Sequence, residues 1–231
     1  MIVPFVKMHG CGNDFVVVNE FEILIPEEKK SEFSKLVCKR HFSVGADGVI
    51  FVCSAQKEGA DIKMRIFNVD GSEAPMCGNG IRVVVKFAIE NNLVPKKEYL
   101  DVETNVGIIR AYPKYLDDKV ISVKVDLGAP KIRLADIPAV GIGEAMIKEK
   151  INVPEFGTCE ITEVNTGAPH VVIFVDNVEK VNVERIGKAI RYLTSVFPVG
   201  ANVNFVEVEI EKRLARVSCY NRHGEPMLTT I

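Results

Sequence analysis

Short runs of β-branched and aliphatic residues, each closed by Gly, Pro, Asn or Asp, set the rhythm of this chain. Residues 15–19, 49–53, 63–68, 120–126, 170–176 and 203–210 form such runs, and each predicts a strand. Three stretches follow the helical period instead. Residues 26–40 open with Pro26, Glu27 and Glu28, a favourable first turn, and set Phe33, Leu36 and Val37 on one face. Ile81, Val84, Val85, Ala88 and Ile89 keep the i, i+3, i+4, i+7, i+8 spacing without a break. Ile186, Ala189, Ile190 and Leu193 repeat it, and Pro198 stops that helix. Many strands with few helices predict an α+β fold. The PKYLDD stretch separates two strand-like runs and predicts a joint there, with domains at 1–115 and 116–231.

Composition narrows the class. The 231 residues are 47% hydrophobic and 26% charged, which suits a globular chain with a sizeable core. The 29 Lys and Arg against 31 Asp and Glu give a net charge of −2, so there is no basic excess for nucleic acid. No apolar run approaches the roughly 18 residues of a membrane-spanning helix. The start, MIVPFVKMHG, does not read as a signal peptide, so the expected location is cytoplasmic, with the six cysteines as reduced thiols. Four His and no CxxC pair argue against a structural metal site, and no P-loop, HExxH or GxGxxG suggests a cofactor.

The chemistry concentrates in FNVDGSEAPMCGNGIR, residues 67–82. Cys77-Gly78-Asn79-Gly80 leads straight into the helix that starts near Ile81. A thiol at a helix N-terminus sits at the positive end of the dipole, which lowers its pKa toward neutrality. Glycines there let backbone N–H groups meet an anion. A thiolate beside an anion site can deprotonate a small acid. The plainer reading is a buried apolar cysteine in a tight turn, and a redox-sensing thiol is a third. Asn165-Thr166-Gly167-Ala168-Pro169-His170 brings an imidazole to the start of a strand, as a structural residue or a proton carrier. Two further loops, 10–15 and 197–204, are either turns or parts of a site, and 45–48 is more ambiguous still.

Together, and in this order, MHGCGNDF, RHFSVGADG, MRIFNVDGSEAPMCGNGIR, ETNVG, NTGAPH and FPVGANVNF resemble the diaminopimelate epimerase family over residues 8–206. The resemblance implies two pseudo-symmetric α/β domains, each a curled, mainly antiparallel sheet around a central helix, with the substrate between them. It implies cofactor-independent epimerisation of LL- and meso-diaminopimelate in lysine and cell-wall precursor synthesis, by two cysteines acting on opposite faces of the α-carbon. It implies a homodimer, with no metal and no nucleic acid or membrane partner. By the same resemblance Cys77 is the acid/base thiol and His170 assists its proton traffic. Gly78 and Asn79 bind the α-carboxylate, and Asn13, Asn68, Asn202 and Arg222 bind substrate. Ala168 stands where many members carry a substrate-binding Asn.

The last residues, RVSCYNRHGEPMLTTI, depart from the family pattern. Aligned on it, Thr229 falls where the second catalytic cysteine stands, and Cys219 lies ten residues earlier on the strand side of the turn. The second domain is therefore expected to be truncated, its central helix replaced by something else. Two other functions stay open: a proline racemase-like enzyme or hydroxyproline dehydratase, which Thr229 suggests, and an amino-acid-binding protein without catalysis.

Overall fold

The computed structural model describes residues 2–141, 143–212, 214–220 and 226–230. The chain forms two compact units, residues 1–127 and 128–231. The first holds β1 (Val6–Gly10), β2 (Asn13–Asn19), α1 (Glu27–Val37), β3 (Gly48–Cys53), β4 (Ile62–Asn68), β5 (Glu73–Ala74), α2 (Gly78–Glu90), β6 (Leu100–Thr104), β7 (Gly107–Leu116) and β8 (Lys119–Val125). The second holds β9 (Glu149–Val153), β10 (Gly157–Asn165), β11 (Pro169–Phe174), α3 (Val183–Arg191), β12 (Asn202–Glu209), β13 (Leu214–Tyr220) and β14 (Pro226–Thr230).

In the first unit the strand order is β1-β2-β3-β4-β6-β7-β8, with β5 paired to β4. Only β2/β3 and β4/β6 run parallel. Helix α2 touches β1 at one edge and β8 at the other, as well as β3, β4, β6 and β7 between them. A sheet whose two edges reach one helix must curl around it. The unbroken period of α2 explains its place, since Ile81, Val84, Val85, Ala88 and Ile89 are all buried. They pack on Val17, Ile50, Val52, Ile62 and Met64. The alternate residues Val16, Val18, Val49, Phe51 and Phe67 face a second core with Ile25, Cys38 and the partly buried Phe33 and Val37. These strands are covered on both faces, which is why they read as continuous apolar runs.

Two expectations are corrected here. Leu36 is 53% exposed, while Lys30 is 3% exposed and paired at 2.9 Å with Glu20. An ion pair thus occupies part of the face of α1 expected to be apolar. The units also divide at Leu127/Gly128 rather than within PKYLDD. That segment ends β7 and turns through Asp117 and Asp118, both at positive φ, into β8, which pairs back onto β7.

The second unit is a six-stranded sheet in the order β14-β13-β12-β11-β10-β9, antiparallel except for β11/β12. Its β11-α3-β12 crossover repeats the β2-α1-β3 crossover of the first unit, so α3 is the counterpart of α1. Ile161, Val171, Ile173, Val203 and Phe205 form its core with Val183 and Ile190 of α3. Among the described residues this unit has no second helix of eight or more residues to match α2.

Candidate active site

Cys77 caps α2. Its backbone is extended (φ −149°, ψ 114°), its carbonyl accepts the Ile81 N–H at 2.9 Å, and its Sγ accepts the Gly80 N–H at 3.4 Å. The thiol therefore takes the place that a Ser or Asp oxygen fills at an ordinary N-cap. It is half-buried. A Cβ on Gly80 would lie 3.2 Å from Met64 Sδ and 3.3 Å from Ile50 Cδ1, so a bare backbone is what seats the helix start on β3 and β4. A Cβ on Gly10 would lie 2.5 Å from the Asn79 carbonyl oxygen, so β1 approaches the same helix end backbone to backbone.

That approach brings three sequence motifs together. Asn79 Nδ2 donates to Asn13 Oδ1 at 2.7 Å, and Arg82 Nη1 donates to Asn79 Oδ1 at 2.7 Å. Asn13 Nδ2 donates to Asp47 Oδ2 at 3.2 Å. Asn13 follows the two-residue Cys11-Gly12 turn of the β1–β2 hairpin, both residues at positive φ. Asp47 directly precedes β3. Its N–H donates to the Asp14 carbonyl at 2.9 Å, and Asp14 N–H donates to Asp47 Oδ2 at 3.1 Å. Arg40 Nη2 bridges Asp14 at 2.7 Å and Asp47 at 2.9 Å, and Lys7 pairs with Asp14 at 2.9 Å and donates to the Gly45 carbonyl. Burial pulls the Asp14 carboxyl up, but Arg40 and Lys7 outweigh it and hold it below its ordinary 3.8. Asn68 ends β4 opposite Gly48, and its amide donates to Ser72 Oγ at 2.9 Å.

In the second unit, His170 stands near the start of β11 opposite Asn202 of β12. Its Nδ1 is 3.2 Å from Nδ2 of Asn204. The same Nδ2 faces the carbonyls of Val171 (3.1 Å) and Asn202 (3.4 Å), so it is a donor, and Nδ1 accepts. Burial holds His170 below its ordinary 6.5. Ala168 sits in a turn closed by Asn165 Oδ1, which accepts the Gly167 N–H at 2.9 Å.

The expected positions near the end of the chain fare differently. Arg222 lies outside the described residues. The backbone of Thr229 lies in β14 opposite Val217, a strand position and not a helix start. The hydroxyproline reading leaned on that position and loses its support. Cys219 lies in β13 opposite Asn204, and burial pushes its thiol up to about 11, which suits an inert residue. Among the described residues no cluster of three His, Cys, Asp or Glu could hold a metal ion, and no helix is long and apolar enough to cross a membrane.

Asn13, Cys77, Gly78 and Asn79 therefore share one cluster, with Asn68 at the same end of the sheet. Asp47, Arg82 and Asn204 are the contributors that the sequence reading did not single out. Asp47 sat in a loop left ambiguous, and Arg82 closed the 67–82 motif without a role of its own.

The profile of the family described as diaminopimelate epimerase matches residues 5–133. The diaminopimelate epimerase of Methanocella arvoryzae is 48% identical over 224 residues, covering 96% of this chain and 75% of its own length. That of Methanothermobacter thermautotrophicus is 44% identical over 227 residues, covering 98% of this chain and 78% of its own. Among solved structures, a probable proline racemase from Agrobacterium radiobacter K84 superposes with a TM-score of 0.70 over 94% of this chain and 70% of its own. Its 14% sequence identity makes that a likeness of fold alone. With the Cys77 helix cap and the Asn13–Asn79 pair in place, and relatives aligned along nearly all of its length, the chain belongs to the diaminopimelate epimerase family.

Proposed function

We propose that this chain interconverts LL- and meso-2,6-diaminopimelate by removing and returning the α-proton, with no cofactor. The observation that carries the reading is the Cys77 sulfur at the N-cap of α2, two residues from an amide pinned to Asn13. The relatives at 44–48% identity bear the name of that activity.

The backbone N–H groups of Gly78 and Asn79, at the positive end of α2, receive the α-carboxylate. The Cys77 thiolate takes the α-hydrogen as a proton. The S–H bond forms, the Cα–H bond breaks, and its electron pair stays on the substrate, delocalised into the carboxylate. Fixed N–H donors beside that carboxylate stabilise the growing charge without having to reorient. Inversion needs a second acid that gives its proton to the opposite face of the α-carbon, and a proton returned by Cys77 gives exchange alone. His170 assists the proton traffic of Cys77. Asn13, Asn68, Asn202 and Arg222 hold the rest of the substrate. The reading extends to a homodimer in the cytoplasm that supplies lysine and cell-wall precursors.

The test is incubation of LL- and meso-diaminopimelate in heavy water, with the α-proton followed by NMR and the isomers resolved by chiral chromatography. The wild type washes out the α-proton signal. Cys77→Ala slows the washout by about 10²–10⁴-fold, the span of a positioned general base. Washout that is the same in both chains refutes the assignment.

A further inference from the structure

We infer that Asp47 is a positioning residue: it fixes which way the Asn13 and Asn79 amides face beside Cys77, a role that rests on the proposed epimerase reading. An asparagine amide is nearly symmetric in shape, and a half-turn exchanges donor for acceptor at little steric cost. Taken alone, the Asn13–Asn79 bond could run in either direction. The ends of the relay decide. Arg82 can only donate, and it donates to Asn79 Oδ1 at 2.7 Å. Asp47, as a carboxylate, can only accept, and it accepts from Asn13 Nδ2 at 3.2 Å. Between them Asn79 Nδ2 donates to Asn13 Oδ1 at 2.7 Å. Turning both amides over would set the Asn79 amide N–H against the Arg82 guanidinium and the Asn13 carbonyl against the Asp47 carboxylate. Two bonds would be lost and two repulsions created, so the direction is fixed.

Of the two ends, Asp47 ties the relay to the rest of the unit. Arg82 lies three residues from Asn79 on the same helix and conveys nothing beyond it. Asp47 is 8% exposed and held from three sides: by Asp14 N–H at 3.1 Å, by Arg40 at 2.9 Å, and through its own N–H to the Asp14 carbonyl at 2.9 Å. The consequence is chemical. The relay keeps both amide oxygens on its own donors, the Asn79 oxygen on Arg82 and the Asn13 oxygen on Asn79. A carboxylate substrate needs that arrangement, and a reversed amide would meet it oxygen to oxygen.

The experiment replaces Asp47 with its neutral isostere, which can present either nitrogen or oxygen to Asn13. Asp47→Asn raises KM for diaminopimelate in the α-proton washout about tenfold, the worth of one hydrogen bond to a charged group, and changes kcat less than about threefold. A merely structural role would lower kcat with the folded fraction and leave KM alone, and that result overturns the proposal. The second readout needs no turnover, so it still decides if the wild type washes out no proton and the epimerase reading itself fails. The Asn side-chain amide resonances are compared between wild type and Asp47→Asn by nitrogen-15 NMR. Changed resonances at both Asn13 and Asn79, the latter one step removed from Asp47, support the relay. An unchanged Asn79 refutes it. Asp47→Ser, whose hydroxyl is no longer an acceptor-only end, takes the same two readouts if Asp47→Asn does not fold.

Discussion

Glu163 is fully buried in β10, and among the described residues neither of its carboxylate oxygens has a hydrogen-bond partner. Its backbone is anchored, with its N–H donating to the Met146 carbonyl at 2.8 Å. On the strand it lies opposite Val171 and shares with Ile161 the face turned to the core of the second unit. Taking a charge into such surroundings is costly, and burial raises its pKa from 4.5 to about 7. The sign follows from proton linkage. Below pH 4.5 the folded and unfolded chains both hold the proton, and Glu163 imposes no charge penalty. Between about pH 4.5 and 7 the unfolded chain releases a proton that the folded chain keeps, so stability falls as pH rises. At about 1.4 kcal/mol per pH unit the full loss is about 3 kcal/mol, complete above pH 7. That is a large share of a typical domain stability of about 5–15 kcal/mol. Glu163→Gln keeps the shape and removes the titration. Urea unfolding of both chains, followed by circular dichroism at pH 5, 6, 7 and 8, measures the difference. The wild type is expected to lose about 2.5 kcal/mol relative to the variant across that range, the first part of the loss lying below pH 5. Parallel stability curves at all four values would refute the argument, since they require a carboxylate that ionises as readily folded as unfolded.

Three other outcomes follow from the packing and the site. Gly10→Ala puts a Cβ 2.5 Å from the Asn79 carbonyl, so it is expected to cost about 1–3 kcal/mol in urea unfolding and to slow α-proton washout by displacing the helix start. Gly187→Ala puts a Cβ 2.4 Å from Tyr220 Cβ, and should destabilise the second unit by a similar amount in the same assay while Cys77 alkylation is unaffected. Asn204→Leu removes the donor to His170 Nδ1 and frees the ring to change tautomer, which nitrogen-15 NMR of the imidazole reads directly.

The sequence made the middle of the first unit legible and its edges less so. Helix α2 could be read because its buried face is continuous and its start carries Gly-Asn-Gly, two signals that agree. The runs VVV and VIFV announced strands covered on both faces. Strand β1 gave no such signal. It is an edge strand with only Gly10 buried, so no alternation marks it. The long β7–β8 hairpin was mistaken for a joint because Asp117-Asp118 makes a two-residue turn that looks like a boundary when its partner strand is not in view. On α1, an apolar-face argument favoured Leu36 over Lys30, and the Glu20 carboxylate that makes burial of Lys30 tolerable lies ten residues away.

The candidate site divides along the same line. Cys77, Gly78 and Asn79 declare themselves through local spacing at a helix start. Asp47 does not, because its meaning comes from Asn13, 34 residues earlier, and that pairing exists only once β2 and β3 lie side by side. Asn204 acquires its role in the same way, from a parallel register that sets it beside the His170 ring.

For the proposed reaction Cys77 has to be a reachable thiol at a ligand site. Brief treatment with iodoacetamide at pH 7.5, with and without meso-diaminopimelate, followed by mass-spectrometric mapping of all six cysteines, tests that most directly. Modification of Cys77 that diaminopimelate suppresses is the expected result. A Cys77 that stays unmodified while the buried Cys38 reacts, or one that reacts equally with the amino acid present, would contradict it.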